Sequence, residues 1–195
     1  MKKREQQRRE QLLQATFEAV ADKGYSTVTL QDISTYAGVS KGVTNYYFKN
    51  KEDVFANLLE WLTQKIYQKE ASAVQEAESA EEKLQAYVNA VFVGPKENDQ
   101  FYKVYLDFLS YVPKIPRFQE INQHFYSNCF EIGKSIILRG KEEGIFLSVN
   151  SDQGAKAIRS LIDGCILQWL MAGDHQLHEY YKTLCSESIY RLLND

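Results

Sequence analysis

The chain has 195 residues, 44% hydrophobic and 13% aromatic, enough for one large or two small domains with a buried core. Three Pro and ten Gly argue against a β-sandwich and against a disordered chain. The net charge of −3 does not suggest nucleic acid, but residues 1–51 hold nine Lys/Arg against five Asp/Glu while the remainder holds 14 against 21, and a basic head on an acidic body is a footprint for a polyanion.

Residues 1–10, MKKREQQRRE, are basic with no apolar stretch behind them, so they read as neither signal peptide nor anchor. Two readings stand side by side: the solvated start of a helix, or an arm at residues 1–4 that touches the minor groove or phosphates. No apolar run approaches the roughly 20 residues a membrane span needs. Leu12, Ala15, Phe17, Ala19 and Val20 predict a helix over 8–23, stopped by Gly24.

The stretch TLQDISTYAGVSKGVTNYYFKNK, residues 29–51, carries the specific chemistry. Thr29 with Asp32 at the third helical position predicts a hydroxyl N-cap, and Ile33 and Ala37 form one apolar face. Gly38 ends that helix in a left-handed conformation, and Val39 fills the gap to the next. Ser40 is expected to cap a second helix, KGVTNYYF. Helix, short turn and helix make a helix-turn-helix, whose second helix lies in the DNA major groove. Lys41, Lys51 and the hydroxyls of Thr29, Ser40, Tyr46 and Tyr47 suit phosphate contacts. Thr44 and Asn45 suit base edges. Gly42 in the first helical turn costs about 1 kcal/mol relative to Ala, and its bare backbone permits close approach to the sugar-phosphate chain. The competing reading, small-core packing, is accepted for Phe48 and for one face of the tyrosine pair.

The run AGVSKGVTNYYFKNKEDVF resembles the DNA-binding domain of TetR-family transcriptional regulators, nearest the betaine-repressor-like subgroup. The resemblance covers about residues 8–60; beyond that it rests on length and an all-helical pattern. Asn45 stands where many members carry Tyr and can read adenine by itself, and Ser34 stands where many carry Ala.

Asn50 and Asp53 predict the start of a fourth helix, with Val54, Leu58, Leu59 and Leu62 inward, running to about residue 71. This helix is the expected mechanical link between the head and the rest. Residues 72–80, SAVQEAESA, read as a junction. Leu84, Tyr87, Val88, Val91 and Phe92 make an amphipathic helix broken at Gly94-Pro95. Phe101, Val104, Tyr105, Phe108 and Leu109 make another. Pro116 opens a long helix to about Glu143, and Gly144 ends it. Ser151 is expected to cap a helix whose Ile158, Leu161, Ile162, Cys165, Ile166, Trp169 and Leu170 are apolar nearly all round, so it is either central or shared with a partner chain. A last helix spans about 176–193. The expected fold is all-α, about nine helices, with a helix-turn-helix head at 1–50 and a helical effector-binding and dimerisation domain at 51–195.

The resemblance implies that the last two helices pair with a second copy and that the body holds a small-molecule effector. Tyr87, Tyr105, Phe108 and Trp169, with His124, Asn128 and Gln168, are the expected ligand-binding residues; ordinary core is the competing reading for each aromatic. No cofactor and no metal is expected. His175 and His178 are three apart with no further ligand pattern. Cys129, Cys165 and Cys185 are odd in number and unpaired in spacing, as reduced buried thiols in a cytoplasm are. Gly38-Val39-Ser40-Lys41-Gly42 fits the G-x-S-x-G hydrolase pattern, but a helix precedes it where that elbow needs a strand. The expected function is a cytoplasmic, ligand-responsive repressor that binds a double-stranded, palindromic operator as a homodimer, with no enzymatic activity. The alternative is an all-α enzyme or scaffold whose head only packs.

Overall fold

The structure, a computed structural model, describes residues 2–194, with side chains from Arg4 onward. Among the described residues there are nine α-helices and no strand. They are α1 (Lys2–Lys23), α2 (Leu30–Tyr36), α3 (Lys41–Tyr47), α4 (Lys51–Glu76), α5 (Ala80–Val91), α6 (Pro95–Leu109), α7 (Pro116–Glu142), α8 (Ser151–Ala172) and α9 (His178–Asn194). A single 3-10 turn, His175–Leu177, leads into α9.

Helix ends follow local chemistry, with three differences from the expected boundaries. α1 begins at Lys2 rather than near residue 8, because Lys, Arg, Gln and Glu are all good helix formers and Gln6 bonds Glu10 across one turn at 3.0 Å. Backbone from Lys2 to Arg4 is thus helical; Met1 and the side chains of Lys2 and Lys3 in the expected arm lie outside the described residues. α4 continues past the expected junction to Glu76, with Val74 buried on its inner face. The break falls instead at residues 77–79, where Ser79 and Glu82 form a capping box for α5. α8 is capped by Asn150, not Ser151: its Oδ1 accepts from the N–H groups of Asp152 at 3.1 Å and Gln153 at 3.0 Å.

The chain forms two compact units. The first comprises residues 1–63 and 100–122. Its core joins the helix-turn-helix region to the second part of α6 and the start of α7. Tyr25 lies 4.2 Å from Tyr111, 4.6 Å from Phe55 and 5.3 Å from Phe108 between ring centroids. The Tyr25 N–H donates to Asp107 Oδ2 at 2.8 Å, and Arg117 pairs with Asp53 at 2.7 Å. Contacts between residues more than 60 apart in sequence thus build the core of this unit.

The second unit comprises residues 64–99 and 123–195. Its core takes Tyr87, Val88 and Val91 from α5, Phe125, Cys129 and Ile136 from α7, and Ile158, Ile162 and Trp169 from α8. α8 and α9 pack on each other. Gly133 admits the backbone of Ala155 so closely that a Cβ there would meet it at 3.1 Å. The three cysteines are free and buried.

Candidate nucleic-acid interface

The helix-turn-helix is held by bonds that its own sequence specifies. Thr29 Oγ1 accepts from the Asp32 N–H at 3.2 Å while the Asp32 carboxylate accepts from the Thr29 N–H at 2.9 Å, a complete capping box on α2. Lys23 on α1 pairs with the same carboxylate at 2.5 Å, and these donors hold Asp32 far below the usual carboxylate range. At the other end of α2, Gly38 has φ +62°. The Val39 N–H reaches the Ser34 carbonyl at 3.0 Å and the Gly38 N–H reaches that of Thr35 at 3.1 Å, a Schellman termination. Gln11 of α1 donates to the Ala37 carbonyl at 2.9 Å and adds a brace.

α3 has two faces. Its inner face is Thr44, fully buried, followed by Phe48, 1% exposed, in the extended residue that closes the helix. The Arg9 guanidinium covers the Phe48 ring at 5.6 Å and bonds Asn57. Its outer face is Lys41, Gly42, Asn45 and Tyr46, all exposed, with Tyr46 75% exposed and Tyr47 half-buried beside it at 5.1 Å. That outer face offers a cation, an amide, a phenol and bare backbone at one surface. Such a set can donate to phosphate and to base edges.

Two expected contact residues, Thr44 and Lys51, turn inward, and two more, Ser40 and Thr29, differ in what their hydroxyls do. Thr44 does not reach outward: its hydroxyl lies 2.8 Å from Ser34 Oγ, which itself donates to the Leu30 carbonyl at 2.8 Å. Burial makes it a tie between α2 and α3. Lys51 is turned to its own unit, where Nζ donates to the Ser26 carbonyl at 3.0 Å and lies over the rings of Tyr25 and Phe55. Partial burial there lowers its pKa from the usual lysine value. Ser40 occupies the N-cap position of α3 with no side-chain cap bond, so its exposed hydroxyl is available. Thr29 is exposed, but its hydroxyl donates to Asp32 at 2.6 Å.

Arg4, in the expected arm, is joined by Arg8, which the sequence reading did not single out. Arg4 and Arg8 lie one turn apart on α1 and, with Glu5, Gln7 and Gln11, form one wall of an open groove of about 500 Å³ whose other wall is Tyr46 and Tyr47, so two guanidinium groups outweigh one carboxylate there. The sequence signal was present: Arg4, Arg8 and Gln11 recur at four and three, which puts them on one helical face.

The expected ligand-binding residues fall in both units. Tyr105 and Phe108 belong to the first unit, where Phe108 packs on Tyr25 and Phe118 and the Tyr105 hydroxyl donates to Asn122 at 3.0 Å. The other five belong to the second. There Tyr87 is buried with its hydroxyl toward the Cys129 carbonyl at 3.4 Å, and Trp169 is buried with Nε1 donating to the Asp174 carbonyl at 3.1 Å. His124 and Asn128 meet each other at 3.4 Å on α7, and Gln168 is exposed on α8. Amphipathic periodicity marks these aromatics as inward-facing without saying whether inward means core or cavity.

A family model described as bacterial regulatory proteins, tetR family, matches residues 12–58, and one described as BetI-type transcriptional repressor, C-terminal, matches residues 80–194. The chain belongs to the TetR family of transcriptional regulators, with a BetI-type C-terminal region. This family consists of regulators, not enzymes, which sets aside the enzyme alternative. The HTH-type transcriptional regulator BetI 1 of Chromohalobacter salexigens is 30% identical over 174 residues, covering 85% of this chain and 80% of the relative. The HTH-type transcriptional regulator BetI of Pseudomonas aeruginosa is 28% identical over 176 residues, covering 86% and 83%. Among solved structures, a TetR transcription regulator from Haloarcula marismortui has TM-score 0.86 at 24% identity, covering 96% of this chain and 98% of that one. A transcriptional regulator from Saccharomonospora viridis in complex with choline has TM-score 0.83 at 20% identity, covering 93% and 94%. At these identities the two structures establish the fold.

Proposed function

We propose that this TetR-family regulator represses transcription in the cytoplasm as a homodimer on a palindromic DNA operator and is released by a small-molecule effector. Residues 1–50 read DNA, and residues 51–195 hold the effector and the partner copy. The observation that carries the reading is the division of α3: Thr44 and Phe48 face the core while Lys41, Gly42, Asn45 and Tyr46 face solvent. Ser40 and Tyr47 flank that surface, and Arg4 and Arg8 extend it to phosphates beyond the groove. Asn45 reads a base edge; the lysine, the arginines and the hydroxyls set register.

One short recognition helix reads few bases, and two held about one DNA turn apart read a palindrome. The partner surface is on α8 and α9, where Leu167, Met171, Tyr180 and Leu184 are exposed. An effector acts through its different affinity for the DNA-competent and released states. α4, which runs unbroken from Lys51 to Glu76, is the element that carries the change. A ligand screen by thermal shift should include choline, because one neighbour of the same fold was solved with it.

The deciding experiment is a gel shift with DNA from upstream of the chain's own gene, titrated against salt and competitor. Lys41→Ala should weaken binding to all sequences and lower the salt slope by about 1, whereas Asn45→Ala should change sequence preference. If neither substitution alters binding, α3 is not the reading helix. A sedimentation result of monomer only at micromolar concentration would remove the dimer.

A further inference from the structure

The second unit buries a charged group that DNA recognition does not use. Arg159 on α8 is 1% exposed. Its Nη1 lies 2.9 Å from Glu70 Oε1 on α4, and its Nη2 lies 2.7 Å from Asp163 Oδ1 one turn along α8. The guanidinium carbon is 5.1 Å from the ring centroid of Phe125 and 5.9 Å from that of Tyr126, both on α7. Nη1 also meets Cys129 Sγ at 3.5 Å, and the Tyr126 hydroxyl bonds Asp163. Nε is buried with no partner.

Two carboxylates and two aromatic faces around one positive centre are the parts that recognise an organic cation. A site that served packing alone would be better filled by apolar residues, since burying an ion pair gains little over a hydrophobic replacement. Here both carboxylates and both rings are in place, and the cation comes from the chain itself. We propose that Arg159 is a built-in ligand: its guanidinium occupies an organic-cation cage formed by Glu70, Asp163, Phe125 and Tyr126, and so excludes external guanidinium and ammonium compounds from it. The proposal does not rest on the DNA-binding reading. Asp163 is about one-third exposed and Tyr126 half-buried, which leaves the cage an edge that a small cation can enter once the arginine side chain is gone. Without Arg159 the cage holds two uncompensated carboxylates, and the penalty for that is what draws a replacement cation in.

The test is chemical rescue in the full chain. Arg159→Ala should unfold at a lower temperature than the parent. Ethylguanidinium chloride at about 10 mM should then raise its Tm by about 3 °C over the same concentration of sodium chloride, and the effect should saturate. The parent should show no such shift, and Arg159→Ala combined with Glu70→Gln should lose it. If Arg159→Ala does not fold alone, its refolding yield with and without ethylguanidinium reads the same binding, and Arg159→Gln gives a second neutral background. No saturating recovery in either variant, or an equal shift in the parent or in the Glu70→Gln background, overturns the proposal.

Discussion

The outer face of α3 and the cage around Arg159 use the same kinds of residue in opposite ways. On α3, Lys41, Asn45 and Tyr46 stand in solvent with the polar ends of their side chains available. Around Arg159, an arginine, two acids and a tyrosine bond mainly to one another, with Arg159 and Glu70 out of water and Asp163 and Tyr126 at the edge. The first arrangement costs the fold almost nothing and keeps its hydrogen-bonding capacity for a partner. The second spends that capacity internally, and each member depends on the others. A cation is therefore a candidate for recognition only when its charge is left unspent, a property of its surroundings rather than of its type.

The sharpest way to break this contrast is to remove one member of the buried group. Glu70→Ala leaves the buried Arg159 charge paired with Asp163 alone, and since leaving a buried charge wholly unpaired costs about 3–5 kcal/mol, the loss should approach the lower end of that range. Urea unfolding should show a large drop in midpoint, and a change no larger than that of a surface substitution would mean the pair is not an energetic unit.

Next in size is the hydroxyl pair inside the head. Ser34→Ala leaves the buried Thr44 hydroxyl without its partner and should destabilise by about 1–3 kcal/mol. Adding Thr44→Val removes the stranded group, so the double variant should recover much of that loss. The double-mutant cycle tests it, and simple additivity would show that the two hydroxyls do not communicate.

Two lysines sharpen the contrast further. Lys51→Ala should lower stability slightly, through the lost bond to Ser26 and the lost cover over Tyr25 and Phe55, and should leave the salt dependence of DNA binding almost unchanged. Lys41→Ala should do the reverse. Equal salt slopes for the two would mean that exposure does not separate them.

The smallest effect is a pH dependence. His178 is buried, its Nε2 lies 2.7 Å from Asn98 Oδ1, and burial lowers its pKa from 6.5. The unfolded chain takes up that proton first, so stability is fullest above about pH 6.5 and falls as pH drops below it. Tm measured between about pH 7.5 and about pH 5.5 should decline more steeply for the parent than for His178→Gln. Parallel curves would assign the decline to other groups.

Much of the head was legible before any coordinates. Thr29, Asp32 and Gly38 each act on backbone within four residues, so their chemistry implies their geometry. The same locality explains the success of the helix count and the placing of α3. Sequence is silent where the answer depends on distant neighbours. Thr44 and Asn45 are adjacent and both polar, yet one faces Ser34 and the other faces solvent. Lys51 resembles Lys41 in sequence and differs only because Ser26, Tyr25 and Phe55 lie beneath it. Arg159 is buried in α8, and nothing within a turn of it in the sequence marks that burial.

The amino-acid order alone determined the all-helical class, the helix-turn-helix with the cap and termination of α2, and the basic head, because these depend on contacts within a turn or two of the chain. Tertiary structure alone decided that residues 100–122 complete the core of the first unit, that Phe108 packs on Tyr25 and Phe118, and that Glu70 and Arg159 meet across 89 positions. Such pairings are selected by how helices settle against one another, and helical periodicity specifies which face turns inward but not what it will find there.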